Sequence, residues 1–442
     1  MAKAKAKAKA KKASAPRHVE VDREDESGIS AIEVMGFKSI RNKTAIAIKP
    51  LTILAGANSS GKSSIMQPLL LMKQTLETPS DPGVFLLDGP NVRFTAANQM
   101  VSKGGNSTFA IRFRTISDRS VAVGYRKLPR GGFHITGMNE GNARGLGQKL
   151  RPGELHQLGD GHALSVPERC FLVLRRFPER EDQSSLGLGE KLFDPLAVTQ
   201  VRDALLSMIH VPAMHGNPER TYRATAAGPS FPGTFEPYVA GIIHQWQGNK
   251  DIRLGQLGAA LEKLGLNWKV EAARVDDTRF ELRVGRLKKK TRGGARDLVS
   301  IADVGFGVSQ CLPVLVALLA ARRGQLVYIE EPEMHLHPRA QVALAQILTD
   351  AANRGVRVVI ETHSSLLLLG VQALVAEGAL PPELVALHWF SLTEDGVTEV
   401  RSAELDEAGA FGEWPEDFAE VTLDAQARYL DAAEKRLAKT KR

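Results

Sequence analysis

A glycine-rich loop at residues 56–64, GANSSGKSS, carries the residue types best suited to chemistry in this chain. It has the spacing G-x-x-x-x-G-K-[ST] at Gly56, Gly61, Lys62 and Ser63. Glycines let consecutive backbone N–H groups face phosphate oxygens, and the lysine adds a positive charge beside them. The serine supplies a hydroxyl for Mg2+. The loop therefore predicts a binding site for a nucleoside triphosphate and its metal ion.

Two carboxylates, Glu330 and Glu331, end an apolar segment at 325–329 that predicts a buried strand. A nucleotide hydrolase needs one carboxylate that holds Mg2+, usually through water, and one that orients and deprotonates the attacking water. We assign Glu330 to the metal together with Ser63, and Glu331 to the general base. Taken alone, the pair would also fit a solvated acidic turn.

A second strand is predicted at 356–360, and His363 follows its end. A histidine there can hydrogen-bond a γ-phosphate or the attacking water, although a lone histidine also serves as a structural group. His335 and His337 lie two residues apart, as metal ligands can. The sequence offers no third ligand at metal-site spacing, which disfavours that interpretation.

Residues 303–310, DVGFGVSQ, open an apolar helix that the sequence predicts from 311 to 322. Glycines, a serine and a glutamine at a helix start make a second anion-binding N-terminus. One nucleotide does not need two such termini within one chain. The simplest explanation is that this helix faces the nucleotide of another subunit.

The elements that must position these residues follow from hydrophobic patterning. The apolar run 51–55 predicts a strand before the loop, and 63–76 predicts a buried helix after it, with Pro68 in its first turns. Further strands are expected at 30–35, 44–48, 108–114, 120–126 and 132–136, which suggests an antiparallel sheet. Residues 139–161 are glycine-rich and predicted to be irregular. Helices are expected at 195–208, 236–246 and 254–264, and a hairpin at 269–274 and 279–284.

These elements divide the chain into an interrupted α/β unit with two tails. We expect a disordered basic tail at 1–28 and a C-terminal extension at 403–442. The nucleotide-binding unit is expected to consist of 29–140 and 297–402, separated by an insertion at 141–296 with helices and a hairpin.

Composition narrows the class of protein. The net charge is +8, but residues 1–17 carry +7 and 434–442 carry +4, so the body is slightly acidic. The Lys/Ala tail either has a loose affinity for nucleic acid or only solubilises the chain. The sequence has no apolar run of membrane-spanning length and no apolar leader at its start. With two cysteines, Cys170 and Cys311, the chain is expected to be cytoplasmic.

Taken together, GFKSI at 36–40, GANSSGKSS, DVGFGVSQ, YIEEPEMHLHP and ETHS resemble ATPases of the ABC superclass in the RecF, SMC and OLD branch. The sequence is most similar to bacterial stand-alone OLD-like ATPases, several of which are ATPase subunits of antiphage systems such as Septu and PARIS. The resemblance implies an α/β fold: an ABC-type P-loop ATPase head with an antiparallel β subdomain and a helical insertion.

The resemblance also implies roles for individual residues. The loop at 56–64 would be the Walker A loop, which binds ATP and Mg2+. Glu330 and Glu331 would be the Walker B pair, and His363 would be the switch histidine. The implied nucleotide ligands are Gly56, Asn58, Ser59, Ser60, Gly61, Lys62, Ser63 and Ser64, with Gly305, Gly307, Ser309 and Gln310 contacting ATP across a dimer.

The sequence departs from the family at three places. Residues 305–310 correspond to the signature motif of these ATPases but do not have its usual sequence LSGGQ, so the residue that contacts the γ-phosphate is unassigned. Relatives have an arginine near His215. The metal-contacting glutamine is not evident, and Gln74 and Gln99 are the candidates.

The resulting expectation is an ATPase that closes as an ATP-sandwiched homodimer or higher oligomer and controls a separately encoded effector, with nuclease as one option. OLD nucleases carry a TOPRIM domain with a D-x-D pair after the ATPase, and the 79 residues after His363 contain none. We therefore expect no nuclease activity in this chain. The alternatives are a DNA-repair or chromosome clamp, with phosphate contacts from the basic loop at 288–296, and a transporter's ATPase subunit.

Overall fold

The computed structural model describes residues 28–142, 147–158, 161–177, 191–193, 196–213, 218–225, 228, 230–267, 269–286 and 297–412. The expectations for the basic tail, for His215, for the basic loop before residue 297 and for the extension after residue 412 lie outside these residues.

The first part of the chain is mainly strand. Its elements are β1 (Ile29–Met35), β2 (Thr44–Ala47), β3 (Leu51–Gly56), α1 (Lys62–Glu77), β4 (Thr108–Thr115), β5 (Arg119–Lys127), β6 (Phe133–Asn142), β7 (Gly147–Leu150), β8 (Leu155–Leu158), β9 (Gly161–Glu168), β10 (Phe171–Phe177) and β11 (Lys191–Phe193).

Helices become more frequent after residue 195. The elements are α2 (Leu196–Ser207), β12 (Ile209–Val211), β13 (Tyr222–Arg223), α3 (Val239–Gly248), α4 (Ile252–Lys263), β14 (Val270–Arg274), β15 (Arg279–Gly285), β16 (Leu298–Ser300), α5 (Phe306–Ala320), β17 (Leu326–Glu330), α6 (Pro338–Asn353), β18 (Arg357–Thr362), α7 (Ser365–Ala376), β19 (Val385–Leu392) and β20 (Thr398–Ala403). In the described ranges, none of the helices combines the length and the apolar character that a bilayer crossing requires.

A six-stranded sheet in the order β12-β17-β18-β3-β19-β20 forms the centre of the molecule. Its first five strands are parallel, and β20 pairs antiparallel with β19. The carboxyl ends of the parallel strands meet at one edge, where Glu330 lies beside Glu361 and Thr362 beside Ala55. This edge gathers the residues that the sequence singles out.

The two faces of the central sheet contact two separate hydrophobic cores. Ile53 and Ile329 point into the core formed with α3 to α7, whereas Leu54 and Tyr328 point into the core formed with α1 and α2. A parallel sheet covered on both faces needs strands that are apolar throughout. Accordingly, every residue of β3 is buried.

A second six-stranded sheet, β2-β1-β4-β5-β6-β7, is antiparallel throughout and packs over α1. It is the antiparallel subdomain that the sequence predicts. With the central parallel sheet and the flanking helices, it confirms the predicted α/β fold class of a P-loop ATPase head.

The insertion expected at 141–296 contains the predicted helices α2, α3 and α4 and the predicted β14–β15 hairpin. The prediction that residues 139–161 are irregular is wrong, because β7 and β8 lie there and β9 begins there. β8 to β11 form their own four-stranded sheet. Few apolar residues alternate regularly in this glycine-rich stretch, so its strands left only a weak signal in the sequence.

Candidate functional site

The Walker A loop connects the end of β3 to the start of α1, as predicted, and both glycines of its pattern are required by their surroundings. Gly56 has φ 146° and Gly61 has φ 100°, which side chains rarely adopt. A Cβ on Gly56 would lie 2.2 Å from the carbonyl oxygen of Phe390, and one on Gly61 would lie 2.1 Å from Oγ1 of Thr398. The loop is therefore pressed against β19 and β20.

Lys62 is the first residue of α1, and its side chain reaches back to the start of the Walker A loop. Its Nζ donates to the carbonyl oxygens of Gly56 at 3.0 Å and Ala57 at 2.8 Å. Burial lowers the pKa of Lys62. The negative charges of Glu361, Glu331 and Glu333 oppose that shift, and Glu361 has the largest effect of the three. Backbone carbonyl oxygens thus hold the ammonium group at the loop, close to three negatively charged side chains.

The loop and the ends of β17 and β18 enclose a cavity of about 390 Å³. Most of the side chains around it are polar or charged. They are Lys38, Ser39, Asn58, Ser59, Gly61, Lys62, Ser63, Ser64, Gln67, Glu331, Glu361 and His363.

These residues fit a triphosphate and its metal ion. Gly61 gives α1 no side-chain cap, so the helix N-terminus points its N–H groups at an incoming anion. Lys62 and this helix terminus together form a phosphate cradle. Ser60, a predicted nucleotide ligand, does not line the cavity: its hydroxyl is buried and, among the described residues, has no hydrogen-bond partner. Ser63 and the neighbouring carboxylates supply the hard oxygen donors that Mg2+ prefers.

The carboxylate that contacts Ser63 is Glu361, which the sequence analysis did not assign. Ser63 Oγ donates to Glu361 Oε2 at 2.8 Å, and the hydroxyl of Tyr328 donates to the other oxygen of this carboxylate. Burial raises the pKa of Glu361 to about 7, and the nearby charge of Glu330 contributes. The hydrogen bonds from Tyr328 and Ser63 limit the shift.

Glu330, assigned to the metal from sequence, is turned toward a different set of donors. Its Oε1 lies 3.2 Å from Nε2 of His210, and its Oε2 accepts the N–H of Ala213 at 3.3 Å. Burial alone would raise the pKa of Glu330, but the hydrogen bonds from His210 and Ala213 outweigh it, so the pKa lies below its ordinary value. The metal assignment of Glu330 stays a prediction, and Glu361 is the carboxylate placed directly at Ser63.

The structure brings Glu331 and His363 together, as the sequence predicts. His363 Nε2 lies 3.0 Å from Glu331 Oε1, and each side chain is about one-third exposed, at 30% and 32%. Glu331 has φ 46°, an unusual left-handed conformation for a residue with a side chain. Glu333 fixes the histidine by accepting its backbone N–H at 2.9 Å. A water molecule between this pair and a γ-phosphate could lose its proton to the carboxylate.

The signature residues lie at the start of α5, away from this cavity. Gly305 caps the helix, is exposed and has open space around it, and Gly307 is half-buried. Ser309 and Gln310 are buried and line a small cavity beside Glu236, so they do not face solvent. Their predicted contact with ATP across a dimer remains a prediction, and Gly305 is exposed among those signature residues whose burial the structure describes.

The remaining candidates have local roles. Gln74 is buried and binds the loop 86–92, and Gln99 pairs with Thr95, so the structure places neither at the cavity. Gln67 lines it instead. His337 caps α6, its Nδ1 accepting the N–H of Arg339 at 3.3 Å.

Sequence reasoning missed Lys38 and Gln67, which lie together at the cavity. Lys38 Nζ donates to Gln67 Oε1 at 2.8 Å and lies 5.5 Å from the ring centre of Phe94. Lys38 belongs to the GFKSI segment, whose resemblance to the family was the available signal. Gln67 lies on the exposed side of the start of α1, where only the helical period could have indicated it.

Comparisons with known proteins agree with the geometry. A family model of an "AAA ATPase domain" matches residues 28–114, and one described as "AAA domain, putative AbiEii toxin, Type IV TA system" matches residues 227–369. The first span contains the Walker A loop and the second contains the Walker B pair and His363. No curated protein matches the sequence.

Three solved structures show a loose overall similarity. A SmcHead bound to the C-winged helix domain of ScpA has a TM-score of 0.44 and 12% identity, covering 86% of this chain and 99% of that one. The SMC head domain from Thermotoga maritima has a TM-score of 0.39 and 10% identity, and the match covers 86% of this chain and 100% of that one. The third structure is an Smc head domain with an extended coiled coil, bound to the C-terminal domain of ScpA derived from Pyrococcus furiosus. It has a TM-score of 0.39 and 11% identity, and the match covers 94% of this chain and 100% of that one. These scores are below 0.5, so nothing about function follows from them.

The matched family models cover both halves of the cavity that the geometry defines. Residues of the Walker A loop and of the two strand ends converge there from sequence positions about 270 to 300 residues apart. The chain therefore carries an ATPase domain of the P-loop class.

Proposed function

We propose that this protein is an ABC-type ATPase that closes as a homodimer around ATP and Mg2+ and thereby switches a separately encoded effector. The most specific role that fits is the ATPase and sensor subunit of a bacterial antiphage complex. The family model matching residues 227–369 is described as "AAA domain, putative AbiEii toxin, Type IV TA system", which supports a role in a system that includes a harmful activity.

One observation carries the dimer proposal. The exposed N-terminus of α5, with Gly305 at its cap, is not among the residues that line the nucleotide cavity. A helix N-terminus of this kind can bind an anion, and along the chain α5 directly precedes the Walker B strand β17. A second copy would bring its own Gly305 to the open side of the cavity and complete the contacts to the γ-phosphate.

Within such a dimer, each residue has a defined task. Lys62 and the α1 terminus hold the phosphates, while Ser63 with Glu361 and Glu330 would hold Mg2+. The metal ion, when bound, neutralises charge on the phosphate oxygens. Glu331 accepts a proton from the attacking water, and His363 keeps that carboxylate and the water in line.

The test compares Glu331→Gln with the wild type by light scattering during gel filtration. With ATP and Mg2+, we expect Glu331→Gln to elute as a stable dimer, because it binds ATP but cannot deprotonate water. Adding Gly305→Glu to this variant should abolish the dimer while leaving ATP binding measurable. Gly255→Glu is the matched control, because Gly255 is also an exposed glycine with open space around it. A Glu331→Gln protein that stays monomeric with ATP would refute the proposal.

The effector is expected to be a separate protein, because we propose that this chain has no nuclease activity of its own. Incubation of the purified ATPase with plasmid and Mg2+ or Mn2+ tests this directly. Robust cleavage that persists in Lys62→Ala and copurifies with the chain would contradict it.

A DNA clamp is the second candidate, and one surface favours it. Strand register places Arg112, Arg114, Arg126 and Lys149 on the outer face of the antiparallel sheet, and all four are exposed. Such a row can contact phosphates of duplex DNA.

Duplex binding with ATP, measured by anisotropy at two salt concentrations, separates the clamp from a sensor that acts only on protein. A clamp should lose affinity in an Arg114→Ala, Arg126→Ala double variant, and its salt dependence should become less steep by about two phosphate contacts. Arg401→Ala, on β20, is the exposed control. Absence of ATP-dependent binding by the wild type would exclude the clamp.

A further inference from the structure

His210 is a buried histidine at the edge of the central sheet, between the Walker B strand and a surface loop. It lies on β12 opposite Tyr328 of β17, and the two rings stack at 5.4 Å with an angle of 12°. Only 1% of His210 is exposed. Its Nε2 lies 3.2 Å from Glu330 Oε1, and its Nδ1 lies 3.0 Å from Nδ2 of Asn91. Both ring nitrogens therefore have a single, defined neighbour.

The network assigns the position of the imidazole proton. Asn91 Nδ2 also lies 3.0 Å from the carbonyl oxygen of Gly233, which can only accept. The amide group must therefore present its two hydrogens, one to Gly233 and one to His210 Nδ1. With Nδ1 accepting, the proton of the neutral ring lies on Nε2. His210 thus donates to Glu330.

Asn91 is in turn fixed to the helix that begins at the Walker A loop. Gln74 on α1 accepts the backbone N–H groups of Asn91 at 3.1 Å and of Val92 at 2.9 Å. Glu77, also on α1, accepts the N–H of Gly233 at 2.9 Å. The position of Glu330 is therefore set relative to α1 through a continuous series of hydrogen bonds.

We propose that His210 and Asn91 are positioning residues for the metal site: they hold the Glu330 carboxylate in one orientation relative to Ser63 and Glu361. This inference rests on the proposed ATP and Mg2+ site. Glu330 and Glu361 are neighbours in register. A glutamate side chain without fixed partners can adopt several rotamers. Oε1 is committed to His210 and Oε2 to Ala213, so the lone pairs that these donors leave would be held in one orientation for a metal ion or a metal-bound water.

The test measures metal binding without requiring turnover. Mn2+ titrations followed by electron paramagnetic resonance, with the protein saturated by a non-hydrolysable ATP analogue, give the Mn2+ dissociation constant. Outer partners of metal ligands typically contribute about 10-fold to 100-fold in affinity. We expect roughly 10-fold weaker Mn2+ binding in His210→Ala and in Asn91→Ala, with little change in analogue affinity measured without metal.

Two further variants separate positioning from folding. His210→Gln should recover most of the affinity, because the Nε2 hydrogens of glutamine can take the place of the imidazole Nε2–H. His388→Gln is the matched control: it is another buried histidine with two hydrogen bonds, to Ser402 and Ala47, and has no bond to Glu330. Circular dichroism melts check that all variants fold.

Three outcomes would overturn the inference. Unchanged Mn2+ affinity in His210→Ala would show that Glu330 needs no positioning. Equal losses in His210→Gln and His210→Ala would show that the Nε2–H donor is not what matters, and an equal loss in His388→Gln would indicate a general packing effect. A wild-type protein that binds the analogue but no Mn2+ would refute the metal site itself, and failure to bind the analogue would refute the proposed function first.

Discussion

The raised pKa of Glu361 predicts how the free energy of unfolding changes with pH, in both direction and size. Only 3% of this residue is exposed, and its pKa is raised from 4.5 to about 7, chiefly by burial. Between these two pH values the folded protein keeps a proton that the unfolded chain has released. The free energy of unfolding should therefore fall as pH rises through this window, since charging the group inside the folded protein is unfavourable.

The size of the effect follows from the shift. One pKa unit corresponds to about 1.4 kcal/mol, so the contribution of Glu361 should change by about 3 kcal/mol between pH 4.5 and 7. Below that window and above it, this group adds no further pH dependence. Glu361→Gln keeps the shape of the side chain but cannot ionise, and the exchange of one acceptor oxygen for an amide donor should affect stability equally at each pH. The variant should thus gain stability relative to the wild type as pH rises.

The assay is urea unfolding at pH 5, 6 and 7 in buffer with EDTA, which keeps metal ions from binding the carboxylates. The quantity of interest is the difference in unfolding free energy between Glu361→Gln and the wild type at each pH. Glu404→Gln is the control, because Glu404 is a largely exposed carboxylate whose side chain is 83% accessible. A difference that stays constant from pH 5 to pH 7 would refute the assignment of a buried, proton-holding Glu361.

Three further substitutions test the nucleotide cavity by calorimetric titration with ATP. Lys62→Ala should weaken ATP binding by about 100-fold or more through loss of a charge-assisted contact, while the exposed Lys103→Ala should not; equal affinities would remove the phosphate role. Lys38→Met keeps the apolar stem and removes the charge, so it should weaken binding several-fold, and no change would place Lys38 outside the bound ligand. Thr398→Val removes the hydroxyl that lies 2.9 Å from the carbonyl oxygen of Ser60, and should weaken binding several-fold as the loop loses support; tighter binding would contradict this.

The sequence could predict those parts of the site that depend on local structure. The glycine positions in the Walker A loop follow from backbone geometry, and a strand, a loop and a helix are contiguous there. The meeting of Glu331 and His363 was also predictable, because the carboxyl ends of parallel strands lie at one edge of a sheet.

The contacts that the sequence did not reveal depend on the order of strands and on helix packing. Glu361 contacts Ser63 because β18 lies directly between β17 and β3, an order that hydrophobic patterns do not reveal. His210 reaches Glu330 because β12 pairs with β17, although the two residues lie 120 positions apart along the chain. The burial of Ser309 and Gln310 likewise results from how α5 packs. A motif names residue types, and tertiary contacts decide which atoms meet.

The contacts of the Walker A loop with β19 and β20 have a consequence for synthesis on the ribosome. Gly56 lies against Phe390, and Gly61 lies against Thr398, so the loop emerges more than 300 residues before its supports. Pairings between such distant segments form late in folding. A nascent chain should therefore be unable to hold ATP firmly until β20 has left the exit tunnel. That delay would keep unfinished molecules from binding nucleotide while they are still being made.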